Sequence, residues 1–196
     1  MGHMKYLDVD GIGKVSRIGL GTWQFGSLEW GYGDRYASGA ARDIVRRALD
    51  LGVTLFDTAE IYGLGKSERI LGEALGDRRA EVVVASKIMP IAPFPAVVKQ
   101  RERASARRLR LDRIPLYQIH QPNPVFPDSV IMPGMRDLLD SGAIGAAGFR
   151  TIRCPVGRRP TLRSGARLSA TRCIFRSRIL RHSTTSFRSR SARTAS

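Results

Sequence analysis

The strongest constraint on the fold of this 196-residue chain is the regular alternation of short apolar runs with segments of helical periodicity. The runs span residues 17–22, 53–57, 82–87, 116–120 and 143–148. Their centres lie roughly thirty residues apart, the length of a strand–helix–strand unit. Strands that are apolar at nearly every position, with helices between them, predict a parallel sheet covered by helices.

Helical segments are predicted between these strands. One apolar stripe covers residues 44–49, and another covers 70–75, with Ser67 as candidate N-cap and Gly76 as the stop. Two further helices are predicted over residues 95–110 and 128–141. Residues 6–10 and 12–15, joined at Gly11, predict a leading β-hairpin. This order can begin an open doubly wound sheet or a closed (β/α)₈ barrel, and periodicity alone leaves both open.

The charge distribution divides the chain into two regions. Residues 149–196 hold 13 of the 33 basic residues, all arginine, and no Asp, Glu or Lys. Residues 1–148 therefore carry a net charge of only +3, an ordinary globular balance. We predict a globular region over 1–148 and a basic, Arg/Ser-rich tail over 149–196. The tail buries too little apolar surface to offset the ordering of like charges, so it is expected to be disordered or out of frame.

Several functional classes are disfavoured by composition. Both cysteines, Cys154 and Cys173, lie in the tail, which leaves the globular region without a disulfide framework or a cysteine metal site. No apolar run is long enough to cross a bilayer, and the N-terminus lacks a signal-peptide core. We expect a cytoplasmic protein with no metal, no membrane association and no specific nucleic-acid partner.

Polar side chains follow four successive predicted strands. Thr22, Asp57, Lys87 and His120 stand at the strand ends, and Tyr62 follows Asp57 by five residues. Barrel enzymes place their catalytic groups at these carboxyl ends. Each residue alone is better explained as a cap, a surface aromatic, a solvated charge or a structural histidine. Their occurrence together at equivalent strand ends favours a catalytic site.

Four stretches carry a family resemblance: GLGTWQFG at 19–26, LFDTAEIYG at 55–63, VASK at 84–87 and LYQIH at 116–120. GKSE at 65–68 and GEAL at 72–75 also match. The chain resembles the aldo-keto reductases over residues 4–148. The resemblance implies a (β/α)₈ TIM barrel, an α/β fold, here incomplete, with the N-terminal hairpin and five strands present.

The resemblance also implies a reaction and a set of roles. An NADPH hydride would reduce an aldehyde or ketone of a small-molecule substrate, and Tyr62 would protonate the carbonyl oxygen. Lys87 would favour the phenolate and so lower the pKa of Tyr62 from its usual value near 10, while Asp57 would hold Lys87. His120 would orient the carbonyl. The implied cofactor contacts are Gly21, Thr22, Trp23 and Asp57, and Trp23 and Trp30 could form an aromatic wall of the substrate pocket.

The resemblance breaks at Gly148. The family continues with Gly-Val-Ser-Asn, which holds the nicotinamide carboxamide, and later strands supply most adenosine contacts. Here the chain reads GFRTIR over 148–153. Codons for these residues, read from the third base of the Gly148 codon, can encode Val-Ser-Asn-Tyr-Ser. We therefore predict one lost base near codon 148.

Three consequences are expected of the polypeptide as written. The first and fifth strands would be unpaired edges, the barrel-interior face would be exposed, and NADPH binding would be negligible. Besides the reductase, two alternatives stay open: an inactive truncated or pseudogene product, and non-specific polyanion binding through the tail. The sequence leaves the substrate, the preference for NADPH over NADH and the oligomeric state open.

Overall fold

The fold is built around one sheet and a separate hairpin. The computed structural model describes residues 3–9, 11–26, 34–151 and 176–180. In the hairpin, β1 (Tyr6–Val9) pairs antiparallel with β2 (Gly13–Ser16). Gly11 lies in the turn with φ +78°, a conformation that favours glycine. The predicted hairpin is confirmed, although β2 begins one residue later than expected, and Asp10 lies outside the described residues.

The main sheet contains the five parallel strands that the sequence predicts. They are β3 (Gly19–Gly21), β4 (Leu55–Asp57), β5 (Val83–Ile88), β6 (Ile114–Ile119) and β7 (Ile144–Thr151). Each pairs with its sequence neighbour in parallel, in the order β3-β4-β5-β6-β7. This is the strand order of the first five strands of a (β/α) barrel, so the predicted fold class is confirmed for this half.

Four α-helices connect these strands. They are α1 (Asp34–Asp50), α2 (Lys66–Leu75), α3 (Pro95–Leu109) and α4 (Asp128–Asp140), and two 3₁₀ helices, Tyr62–Gly65 and Gly76–Glu81, flank α2. The prediction that Ser67 caps α2 is wrong. The N-cap is Gly65, and Ser67 is buried inside the first turn, where its hydroxyl donates to the Thr22 carbonyl at 2.7 Å.

A sixth strand joins the sheet from the basic tail. β8 (Arg176–Leu180) pairs antiparallel with β7, from Ala147 opposite Leu180 to Thr151 opposite Arg176. The sequence predicts no strand in the tail, because its few apolar residues fit neither a strand nor a helix pattern. The expectation that the fifth strand is an unpaired edge is therefore wrong, because backbone groups of β8 occupy that edge. Among the described residues, β3 is left as the open edge of the sheet.

The core lies in two layers on opposite faces of the sheet. The larger layer fills the space between the sheet and the helices, and includes Phe56, Leu71 and Met135, each at most 1% exposed. The smaller layer joins Ala85, Leu116 and Ala146 on the other face, where Ile12 of the hairpin packs against them. These three residues are buried, so the predicted exposure of the barrel-interior face is wrong at this end of the sheet.

None of the helices within the described ranges is both long and apolar enough to traverse a bilayer.

Candidate active site

The parallel register brings the predicted site residues to one end of the sheet. Gly21 is opposite Asp57, Asp57 is opposite Ala85, and Lys87 is opposite Gln118. The carboxyl ends of β3 to β6 therefore lie side by side. The backbone N–H of His120, directly after β6, donates to the Ile88 carbonyl at 2.9 Å. The structure thus brings together the strand-end residues that the sequence singled out.

Lys87 is a completely buried cation whose ammonium has two described acceptors. Its Nζ lies 2.7 Å from Oδ1 of Asp57, a side chain that is 34% exposed, and 2.6 Å from the Thr58 carbonyl oxygen. A buried ammonium is costly unless it is paired and hydrogen-bonded, and here both conditions are met. The contact between Lys87 and Asp57 that the resemblance implied is present.

Tyr62 lies between Lys87 and His120. The Lys87 ammonium is 5.3 Å from the centroid of the Tyr62 ring. The Tyr62 and His120 rings meet edge to face, with centroids 5.6 Å apart and planes at 88°. A phenol, an imidazole and an ammonium therefore converge at one point, which is the combination needed to protonate and orient a carbonyl oxygen.

An open pocket of about 760 Å³ lies beside Tyr62 and His120. This volume falls in the range of small-molecule sites, roughly 300–1,000 Å³. The remaining wall combines apolar side chains with two cations: Trp23, Ile61, Leu64, Met89, Lys66 and Arg69. Trp23 is 50% exposed, in keeping with a place on the pocket wall. Trp30, predicted beside it, lies outside the described residues.

Thr22 differs in environment from the other predicted cofactor contacts. It is completely buried, and its hydroxyl lies 3.1 Å from the Asp57 carbonyl and 2.8 Å from the Ser67 hydroxyl. Its backbone N–H also donates to the Asp57 carbonyl at 2.9 Å. In this structure the Thr22 side chain ties β3, β4 and α2 together, whereas Gly21 is exposed. A direct contact of Gly21, Thr22, Trp23 or Asp57 with a cofactor stays a prediction.

A partly buried ion pair joins two loops of the site: the loop after β4, which leads to Tyr62, and the loop after β5, the strand that carries Lys87. The Glu60 carboxylate accepts the Met89 N–H at 2.5 Å and lies 2.5 Å from Nη2 of Arg101, which also donates from Nη1 to the Met89 carbonyl at 2.5 Å. Burial raises the pKa of Glu60, and the Met89 N–H and the Arg101 charge oppose that rise. This clamp fixes the loop after β4 to the loop after β5.

A second buried carboxylate, Glu68, anchors α2. It accepts the Ser86 hydroxyl at 2.5 Å and Nε of Arg108 at 2.7 Å, and it has no exposed surface. Ser86 precedes Lys87 on β5, and Arg108 is on α3. Glu68 therefore connects α2, β5 and α3 through side-chain contacts.

Sequence reasoning missed the roles of Thr58, Glu60 and Glu68. All three fall within the motif stretches 55–63 and 65–68, so their positions were marked although their contacts were not. Arg101 and Arg108 carry no such mark, because nothing distinguishes them from the other arginines of a basic amphipathic helix. Within the described ranges, no group of three or more His, Cys, Asp or Glu side chains could hold a metal ion.

Comparison with known families decides the relationship of this chain. The model of the aldo/keto reductase family matches residues 17–155. The chain belongs to that family. The match begins after the hairpin and continues seven residues past Gly148, where the motif resemblance ends.

The curated relatives that this chain matches are about twice as long as the matched part. An uncharacterized oxidoreductase of Mycobacterium tuberculosis is 88% identical over 145 residues, 74% of this chain and 45% of that protein. The aldo-keto reductase YhdN of Bacillus subtilis is 38% identical over 157 residues, which cover 74% of this chain and 46% of YhdN. The chain thus spans about half the length of these relatives.

Solved aldo-keto reductases share the fold of this half. AKR11C1 from Bacillus halodurans, in its holo form, superposes with a TM-score of 0.67 at 29% identity. An aldo-keto reductase from Klebsiella pneumoniae in complex with NADPH gives 0.67 at 28% identity. Both matches cover 77% of this chain and 51% of the other. The partial (β/α) barrel is therefore that of an aldo/keto reductase.

Proposed function

We propose that this chain is the N-terminal half of an NADPH-dependent carbonyl reductase. One observation carries the proposal: the buried Lys87, paired with Asp57 at 2.7 Å, holds its ammonium 5.3 Å from the Tyr62 ring centroid. The substrate would be an aldehyde or ketone small enough for the adjacent pocket.

In the proposed reaction Tyr62 is the general acid. An isolated tyrosine, with a pKa near 10, holds its proton too tightly to give it up readily at neutral pH. The Lys87 charge stabilises the phenolate and so makes proton donation easier, while Asp57 compensates that charge. His120, edge-on to Tyr62, would hydrogen-bond the carbonyl oxygen and fix its orientation.

The described residues fit the nicotinamide end of NADPH. The pocket is bounded by the exposed Trp23 ring, by Tyr62 and by His120, which suit a flat ring set against a carbonyl. NADPH would supply the hydride when bound. Gly21, Trp23 and the backbone beside Asp57 would hold the nicotinamide, and the rest of the dinucleotide would need residues beyond this half.

Tyr62→Phe tests the proposal, since it removes the phenolic proton and keeps the ring. We expect kcat for NADPH-dependent aldehyde reduction by the frame-restored protein to fall by about 10²- to 10⁴-fold, with little change in substrate binding. NADPH oxidation followed by absorbance is the measurement. Tyr6→Phe, in the hairpin, is the matched control. Retention of full activity in Tyr62→Phe would contradict the proposed role.

We also propose that the gene has lost one base near codon 148. The support is the change to an arginine-rich sequence without Asp, Glu or Lys, together with an alternative frame that can encode Val-Ser-Asn. Sequencing the DNA across codons 140–160 tests this directly. An additional base would restore the motif, whereas the present frame would mean that the gene encodes an inactive truncated reductase, for which we expect negligible NADPH binding.

A second candidate function rests on the tail itself. Thirteen arginines without an acidic residue favour non-specific polyanion binding, which should weaken steeply as salt rises. Retention on heparin by the full chain, and its loss when residues 149–196 are removed, would support this function. Equal retention of both proteins would exclude it.

A further inference from the structure

The pocket beside Tyr62 and His120 has a cationic wall that the reduction chemistry does not use. Lys66 and Arg69 both line the pocket. They are three residues apart in the first turn of α2, so they lie on the same face of that helix. The described lining contains no Asp or Glu. The site therefore combines a carbonyl-orienting end with a positively charged end.

The acidic side chains nearest in sequence are committed to other cations. Asp57 is paired with Lys87, Glu60 with Arg101, Glu68 with Arg108, and Glu73 with Arg110, at 2.7, 2.5, 2.7 and 3.3 Å. Two of these carboxylates are nearly or fully buried, with 9% and 0% side-chain exposure for Glu60 and Glu68. Each of these carboxylates is thus paired with a cation other than Lys66 or Arg69, and both of those cations line the pocket.

The rest of the wall indicates the shape of the ligand. Ile61 is 39% exposed and Leu64 is 90% exposed, and both line the pocket together with Met89. These side chains add apolar contact surface to a pocket that also holds the carbonyl-orienting and the cationic groups. Arginine binds carboxylate and phosphate oxygens in a fork geometry, which makes an anion the natural occupant of the cationic end.

We propose that the substrate is a carbonyl compound bearing an anionic group, with its carbonyl at Tyr62 and His120 and its anion at Lys66 and Arg69. The inference rests on the proposed reductase function and names its substrate class. A carboxylate and a phosphate share the required chemistry. Neutral aldehydes of the same length lack the second contact and bind more weakly.

Equilibrium binding to the full 196-residue chain tests this without requiring turnover. The probes are 4-oxobutanoate against butanal, and glyceraldehyde 3-phosphate against glyceraldehyde, titrated by NMR or calorimetry at low salt. We expect at least one anionic probe to bind about fivefold or more tightly than its neutral counterpart, and the preference to shrink at high salt. Comparison of the two charged-to-neutral affinity ratios shows whether the site binds a carboxylate or a phosphate more tightly.

Substitutions of the two cations test whether they bind the anionic group of the probe. Arg69→Gln and Lys66→Gln should each weaken binding of the anionic probe about fivefold and leave the neutral probe unchanged, while Arg69→Lys should recover part of the loss. Arg42→Gln, which removes the same charge from the exposed side of α1, is the control and should change nothing. Circular dichroism confirms that each variant is folded.

The outcomes separate this inference from the proposed function. Selective anion binding that depends on Arg69, without NADPH oxidation in the frame-restored protein, would leave the anion site standing and contradict the reductase. NADPH oxidation with equal kcat/KM for butanal and 4-oxobutanoate, and for glyceraldehyde and its phosphate, would leave the reductase standing and overturn the anion site. Equal binding of charged and neutral probes, or full selectivity in Arg69→Gln, would also overturn it.

Discussion

At the scale of single residues, the site depends on a lysine that has no exposed surface. Burial of the Lys87 ammonium is tolerated because the Asp57 carboxylate and the Thr58 carbonyl accept hydrogen bonds from it. The same charge is the one available to act on Tyr62. Stability and proposed catalysis therefore draw on one ion pair, and a change at Asp57 should affect both.

We expect Asp57→Asn to lower the free energy of unfolding by about 2 kcal/mol, because it leaves the Lys87 ammonium with weaker compensation. This loss of stability is smaller than the loss expected for a fully buried ion pair, because the Asp57 side chain is 34% exposed. Urea denaturation is the measurement.

The surface pair of Lys99 and Asp137 provides a matched control. It also joins a lysine to an aspartate at 2.7 Å, but the side chains are 42% and 46% exposed. Asp137→Asn should therefore cost less than about 0.5 kcal/mol. Equal losses for the two variants would show that the burial of Lys87 adds nothing to the strength of its pair.

At the scale of elements, the sequence predicted the β-α order but not all of the contacts. Parallel strands were recognisable because they are apolar on both faces, and α4 because Asp128 marks its start and Gly142 its stop. β8 was missed because its residues, RSRIL, carry too little apolar pattern, and pairing with β7 decides its conformation.

In the candidate site, too, the residues within sequence motifs were predictable, whereas the contacts that form only in the folded chain were not. Asp57, Tyr62, Lys87 and His120 were predictable because each follows or ends a strand. The clamp of Glu60 and Arg101 was not, because its partners are 41 residues apart and meet only after α3 packs on the sheet. The burial of Thr22 and Ser67 likewise follows from the hydrogen bonds between the residue after β3 and the first turn of α2, which no local pattern reports.

Packing of α2 against α3 depends on Gly72. A Cβ at this position would lie 2.7 Å from the carbonyl oxygens of Arg108 and Leu109, which are backbone atoms and cannot move aside. Gly72→Ala should therefore destabilise the protein by about 2 kcal/mol or more, despite the higher helix propensity of alanine.

Gly39→Ala in α1 is the matched substitution. A Cβ there meets nothing within 4 Å, so only the propensity gain of about 0.5–1 kcal/mol remains, and the variant should be more stable than the parent. Thermal melting of both variants checks the opposite signs. Stabilisation by Gly72→Ala would mean that α2 and α3 are not in close contact.

α3 also contains a carboxyl group whose stability effect depends on pH. Glu102 is 2% exposed, and burial raises its pKa while the nearby Arg103 charge lowers it. A carboxyl whose pKa is higher in the folded than in the unfolded state binds more protons when the protein is folded. Its contribution to stability therefore falls as pH rises from the unfolded-state pKa to the folded-state pKa. Glu102→Gln removes the cost of burying a charged carboxylate at neutral pH, and it keeps a residue of similar helix propensity.

We therefore expect Glu102→Gln to be more stable relative to the parent at pH 7.5 than at pH 4.5. Urea denaturation at both pH values gives the difference. Glu73→Gln, in the exposed face of α2, is the control and should show a smaller change between the two pH values. A stability difference for Glu102→Gln that is independent of pH would contradict the burial effect.

At the scale of the whole molecule, the two edges of the five parallel strands differ. β7 is paired with β8, whereas β3 is the open edge among the described strands. Beside β3 lies a groove of about 480 Å³, lined by Ile18, Leu20, Ile44 and Leu51. Ile18, Ile44 and Leu51 are 64%, 46% and 55% exposed. Because an open strand edge beside exposed apolar side chains favours pairing with another chain, we expect self-association here.

Ile44→Lys should raise the fraction of monomer at a given protein concentration, because it places a charge in this groove without removing a buried side chain. Ile91→Lys is the matched control, since Ile91 is 70% exposed but does not line the groove. Sedimentation velocity over a concentration series measures the effect. Association through the β3 edge predicts a shift for Ile44→Lys alone. A similar shift for both variants would mean that added charge acts through general solubility, and no shift for either would mean that association uses another surface.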